Sequence, residues 1–121
     1  MRASVAALVL ILTACAHEQF VSDRLFCGLS IPAGGTVSQS DIDTFITEII
    51  EPRFPQGFTV WRARGQWRGG NEDALVFEFV HRRDPLLDAK VQEIATAYRT
   101  RFAQQAVLRA VTRVRMQLIT R

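Results

Sequence analysis

His81, followed by Arg82, Arg83 and Asp84, is the single histidine in the part of the chain patterned to fold. An imidazole can move protons near neutral pH when a carboxylate orients it, although a histidine at a surface strand end does no chemistry. A second candidate is the turn Gly65-Gln66-Trp67-Arg68-Gly69-Gly70, with the loop around Gly57 beside it in the same reading. An aromatic ring next to an arginine can stack on and pair with an anionic or sugar-bearing ligand, and glycines let backbone approach closely; the plainer reading is a hairpin whose tryptophans pack on the domain. Strand alternation places Arg62, Arg64, Arg113 and Arg115, with Glu78, on one sheet face. Such a face can meet anionic lipid headgroups or cell-wall polymer, or simply guard strand edges against aggregation. Gly34-Gly35-Thr36 lacks the lysine of a phosphate loop, no Gly-x-Ser-x-Gly is present, and His17 falls in a polar stretch, so no spaced ligand set for zinc can be drawn. No metal and no cofactor is implied.

Cys15 carries the most defined chemistry. Met1-Arg2 is followed by the apolar run Val5 to Leu12, a signal-peptide core that falls short of the ~20 residues a spanning helix requires. Leu12-Thr13-Ala14-Cys15 resembles the lipobox of bacterial lipoproteins. That resemblance implies cleavage before Cys15, a diacylglycerol on its sulfur and an anchor in a membrane. In Gram-negative lipoproteins a residue other than aspartate after the cysteine, here Ala16, is a signal for the outer membrane, which would put the protein on its periplasmic side. Residues 1–14 are expected to be removed and 15–23 to form a lipidated tether, with residues 24–121 as one domain.

The remaining 107 residues suit a single domain, and a chain 48% hydrophobic can bury a core. Net charge is +3, too modest to argue for nucleic acid, and export argues against it further. Fourteen of the fifteen basic residues are arginine, Lys90 being the exception, which GC-rich coding explains as well as phosphate recognition does. With Cys15 given to lipid, Cys27 has no partner for a disulfide; among Leu25, Leu29 and Ile31 it reads as a buried small hydrophobe.

The candidates must be positioned by a small set of elements. Arg24 to Ile31 alternates Leu25, Cys27, Leu29 and Ile31 against Phe26, Gly28 and Ser30, the pattern of a strand. Ser38 and Asp41 resemble a capping box ahead of Ile42, Phe45, Ile46, Ile49 and Ile50 at helical spacing, with Pro52 as the stop. Phe58 to Gln66 predicts a second strand, and Leu75, Phe77 and Phe79 mark a third. Asp84 and Pro85 begin a second helix with Leu87, Val91, Ile94, Tyr98 and Phe102 as its buried stripe. Val107 to Leu118 alternates Leu108, Ala110, Val114, Met116 and Leu118 against Arg109, Arg113 and Arg115, a fourth strand. This order predicts an α+β, ferredoxin-like split β-α-β sandwich: a four-stranded antiparallel sheet, strands one and three central, with two helices on one face.

The segments Arg24 to Pro32, Gly35-Thr-Val-Ser, Glu51 to Val60 and Gly65-Gln-Trp-Arg-Gly, with the later block Tyr98 to Arg109, resemble the domain of unknown function 3574 family, small secreted bacterial proteins. Glu78 departs from the more uniformly apolar third strand expected of it. The resemblance implies fold and export and supplies no activity. Two readings follow. In the first, the chain is a noncatalytic envelope module that binds a partner protein, a polymer or a second copy through the uncovered sheet face. In the second, it is a small enzyme or ligand-binding protein with a site near Trp67, Arg68 and His81.

Overall fold

A computed structural model describes residues 18–121; the signal segment and Cys15 lie outside the described residues. The chain forms β1 (Phe20–Gly28), α1 (Gln39–Phe45, continuing as one π-helical turn, Ile46–Ile50), β2 (Thr59–Trp67), β3 (Gly70–Arg82), α2 (Pro85–Arg101) and β4 (Leu108–Val114). The sheet is antiparallel in the order β2-β3-β1-β4, so β1 and β3 are central as alternation predicts. Both helices cover the same face. Among the described residues no helix is long and apolar enough to cross a membrane.

Local chemistry sets each boundary. Ser38 caps α1, its hydroxyl accepting from the Asp41 amide at 3.1 Å, and the Asp84 carboxylate caps α2 by accepting from the Leu86 amide at 2.7 Å ahead of Pro85. The widened turn after Phe45 is fixed by the Glu51 amide donating to the Ile46 carbonyl at 2.9 Å, five residues back. The extra residue in that turn brings Ile50 into the core with Ile42 and Phe45, leaving Ile46 and Ile49 half-buried against it. Between β2 and β3, Arg68 and Gly69 both have positive φ, 47° and 82°. That is the type I′ geometry whose twist matches a hairpin, and glycine occupies one of the two positions that favour it.

The core lies between the helices and the odd-numbered residues of the central strands. Leu25, Cys27, Leu29, Leu75, Phe77 and Phe79 meet Ile42, Phe45 and Ile50 on one side and Val91, Ile94, Ala95 and Tyr98 on the other. Glu78 falls between Phe77 and Phe79 and so points to the opposite face, where Arg24 stands directly across from it. It interrupts no apolar face.

Residues 20–23, read from sequence as part of a tether, belong to β1. β1 begins at Phe20, so Val21 and Asp23 belong to its buried face, and Gln19 accepts from the Arg83 amide at 2.7 Å through its carbonyl. Glu18 pairs with Arg82 at 3.3 Å. The polar residues that suggested a linker are there because one of them, Asp23, is buried with partners distant in sequence.

Candidate functional site

Residues opposite one another in an antiparallel ladder share a face, and this places the predicted arginines on the wrong side of the sheet for the function first read into them. Arg62 stands opposite Leu75 and Arg64 opposite Asp73, both on the helix side, and the Arg62 guanidinium donates to Gln39 of α1 at 2.9 Å. Arg113 is opposite buried Val21, also on the helix side. Only Arg115, just past β4, borders the uncovered face, beside Arg24 and Glu78. The uncovered face instead carries Trp61, Ala63 and Trp67 from β2, Leu108, Ala110 and Val114 from β4, and Phe26, Ala74, Val76 and Val80 from the centre. It is apolar, with the Arg24–Glu78 pair (2.6 Å) in its midst; the guanidinium, then the Ser22 hydroxyl, holds the Glu78 carboxyl below its ordinary range. A lipid-headgroup or polymer contact through four arginines does not follow from this face.

A groove of about 580 Å³ opens at one end of it, where β1 ends and the β2–β3 hairpin turns. Its space comes from side chains that are missing or short: Gly28, Gly65, Gly70 and Ala74 form the floor, while Phe26, Trp67, Val107 and Leu108 form the walls. Trp67 is 52% and Leu108 61% exposed, large apolar surfaces left to water at the mouth. Arg68 stacks on Trp67, 5.6 Å from the ring centre, but does not line the groove. Glu72 lies on the floor opposite Gly65. Beneath it, on the helix side, the Tyr98 hydroxyl donates to the Gly28 carbonyl at 2.7 Å, and burial, then the neighbouring Cys27 and Glu72, push that phenol well above its ordinary range.

A second polar cluster lies at the far end of the sheet, under the start of α2. Asp23, fully buried, accepts two hydrogen bonds from Arg109, at 2.7 and 2.9 Å, and one from His81 Nε2 at 2.9 Å. Arg109 also donates to Asp88 at 2.6 Å. His81 Nδ1 faces the Arg82 carbonyl at 2.6 Å. Both ring nitrogens are thus engaged inside the protein, and the ring is buried. The cluster ties β1, β3, β4 and α2 together.

A family model described as a protein of unknown function, DUF3574, matches residues 22–118. The chain belongs to the DUF3574 family. Among curated proteins none matches it. Two solved structures of a phage SAM lyase share the fold of this DUF3574 chain. The one in complex with S-methyl-5'-thioadenosine has 21% identity and a TM-score of 0.55, covering 79% of this chain and 81% of that one. The one in the apo state has 19% identity and a TM-score of 0.57, covering 81% and 83%.

The DUF3574 chain therefore separates residues that the sequence reading had grouped. Trp67 borders the groove and Arg68 stacks above it. His81 is eleven residues from Gly70 along β3, roughly 36 Å at ~3.3 Å per residue, so no single site contains all three. Gly34 and Gly35 make a turn in which the Gly34 amide donates to the Ile31 carbonyl, and Gly57 closes another on Phe54; none of these glycines lines the groove, although Pro32 of the first turn does. Among the described residues no group of three candidate metal ligands occurs. The residues missed were Glu72, Gln104, Asp23 and Asp88. For Asp23 a signal existed: it continues the odd-numbered series of Leu25 and Cys27, and a carboxylate on an apolar face demands a buried partner. Cys27 is the free cysteine among the described residues, and burial pushes its thiol well above the ordinary range. Iodoacetamide at mildly alkaline pH should leave it unlabelled in the folded protein and label it fully in urea; rapid labelling without denaturant would contradict this burial.

Proposed function

We propose that this DUF3574 protein is exported and lipid-anchored at Cys15, facing the periplasm from the outer membrane in a Gram-negative cell, and that its domain is a binding module. The module takes a small ligand into the groove at the Trp67 end of the uncovered sheet face. The observation that carries this reading is the groove itself: a concavity of about 580 Å³, mostly apolar, with a few polar groups at its floor. Sites for small organic molecules have this size and make-up. Fold likeness to a protein solved with S-methyl-5'-thioadenosine, a flat base on a thioether-bearing sugar, lends support at the level of architecture. The lipobox-like Leu12-Thr13-Ala14-Cys15 supports the anchor.

The groove is tested by calorimetry on the mature chain in detergent, using S-methyl-5'-thioadenosine, tryptophol and tryptamine as flat aromatic probes. At least one should bind saturably, and both Ala74→Phe, which fills the floor, and Leu108→Glu, which charges the wall, should abolish that binding while leaving the circular dichroism spectrum intact. No saturable heat from any probe, or heat indifferent to both substitutions, removes the reading. The anchor is tested separately: Cys15→Ala should lose all incorporated acyl label.

A further inference from the structure

We infer that the ligand of this groove is a small organic cation whose charged head meets Glu72 and Gln104 and whose flat or apolar body lies along Phe26, Trp67 and Leu108. The inference rests on reading the groove as a binding site and adds the chemistry of what it takes.

Charge is the first argument. Among the described residues Glu72 is the only charged residue lining the groove, in a chain with fifteen basic side chains and a net charge of +3. Among the described residues none of those basic groups lines it. No salt bridge or hydrogen bond to the Glu72 carboxylate occurs among the described residues, although its neighbours are partly apolar. A carboxylate beside apolar walls attracts a cation more strongly than one in open water, because less solvent screens it.

The second argument is the direction of the polar atoms. Gln104 is buried, and its amide nitrogen donates to the Ser30 carbonyl at 2.9 Å and the Phe102 carbonyl at 3.1 Å. Those two bonds fix which way the amide lies, leaving Oε1 as the atom turned toward the floor. A side-chain carbon at residue 28 would collide with both Glu72 Oε1 and Gln104 Oε1, so the two oxygens lie close together over Gly28. The Tyr98 hydroxyl beneath the floor already donates to the Gly28 carbonyl. Two acceptors close together on the floor, one of them a carboxylate, suit an ammonium or similar head and disfavour an anion. The aromatic walls add to this, since ring faces attract cations at close range.

Tryptamine and tryptophol differ only in an ammonium against a hydroxyl, so they isolate the charge. Tryptamine should bind the mature chain at least about tenfold more tightly than tryptophol, the range expected for one charge-assisted contact. Glu72→Gln should erase that preference, bringing the tryptamine and tryptophol affinities within about threefold of each other. Equal affinities, or a tryptamine preference that survives Glu72→Gln, overturn the cation assignment and leave the groove standing as a neutral-ligand site. Absence of binding by every probe overturns both. Sedimentation of the same sample decides the remaining alternative: a dimer dispersed by Leu108→Glu, with no probe bound, assigns the face to a second copy and overturns the proposal.

Discussion

Asp23→Ala will lower the unfolding free energy of the domain by roughly 3–5 kcal/mol, the cost of removing one member of a buried ion pair and stranding the others. Asp23 is fully enclosed and receives three hydrogen bonds, two from Arg109 and one from His81. Without it, the His81 ring loses its buried partner and Arg109 keeps only Asp88, which is largely in water, as a counter-charge among the described residues. Urea unfolding followed by circular dichroism measures the loss. Asp23→Asn should be milder, since one carbonyl oxygen remains. A combined Asp23→Leu, His81→Leu, Arg109→Met variant should recover most of the stability, because buried ion clusters are often replaceable by apolar groups of similar volume. A loss under about 1 kcal/mol for Asp23→Ala would mean that the cluster is wet and contributes little.

The second large effect is expected at Phe45. Its ring is fully buried, packed edge-on against Tyr98 at 5.3 Å and tilted against Phe102 at 5.7 Å and Phe77 at 6.4 Å. It is the point at which α1, α2 and β3 meet. Phe45→Ala should cost about 3–5 kcal/mol, because the removed ring leaves a cavity bounded by other rigid rings that cannot collapse into it. Phe45→Leu should cost less than half of that. Equal losses for the two would indicate that the surrounding helices rearrange rather than hold an empty space.

The elements were legible in the sequence because their signals are local. Caps at Ser38 and Asp84, the helical spacing of Val91, Ile94 and Tyr98, and the alternation of Leu25 with Cys27 each identify an element without help from the rest of the chain. The facing of the edge strands was not legible. In β4 the apolar series Leu108, Ala110 was expected to turn inward and the arginines outward, and the structure does the reverse. The reason is long-range: buried Asp23, eighty-six positions earlier, draws Arg109 under α2, and a strand cannot turn one residue inward without turning its neighbours outward. The groove was half legible. Trp67 and the surrounding glycines drew notice, but Glu72 and Gln104 matter only because Gly28 and Gly65 leave space beside them, and that juxtaposition exists only once β1, β2 and β3 are paired.

The ordered start of β1 also sets an orientation. Glu18 and Gln19 are already fastened to Arg82 and Arg83, so only two residues separate them from the proposed lipid at Cys15, a reach under roughly 10 Å at ~3.3 Å per residue. β1 then runs from Phe20 to Gly28, about 26 Å at the same rise per residue, before reaching the groove. In the proposed anchored form, the strand would act as a standoff that holds the groove at the opposite end of the sheet from the lipid, which would favour sampling dissolved molecules over extracting them from the bilayer.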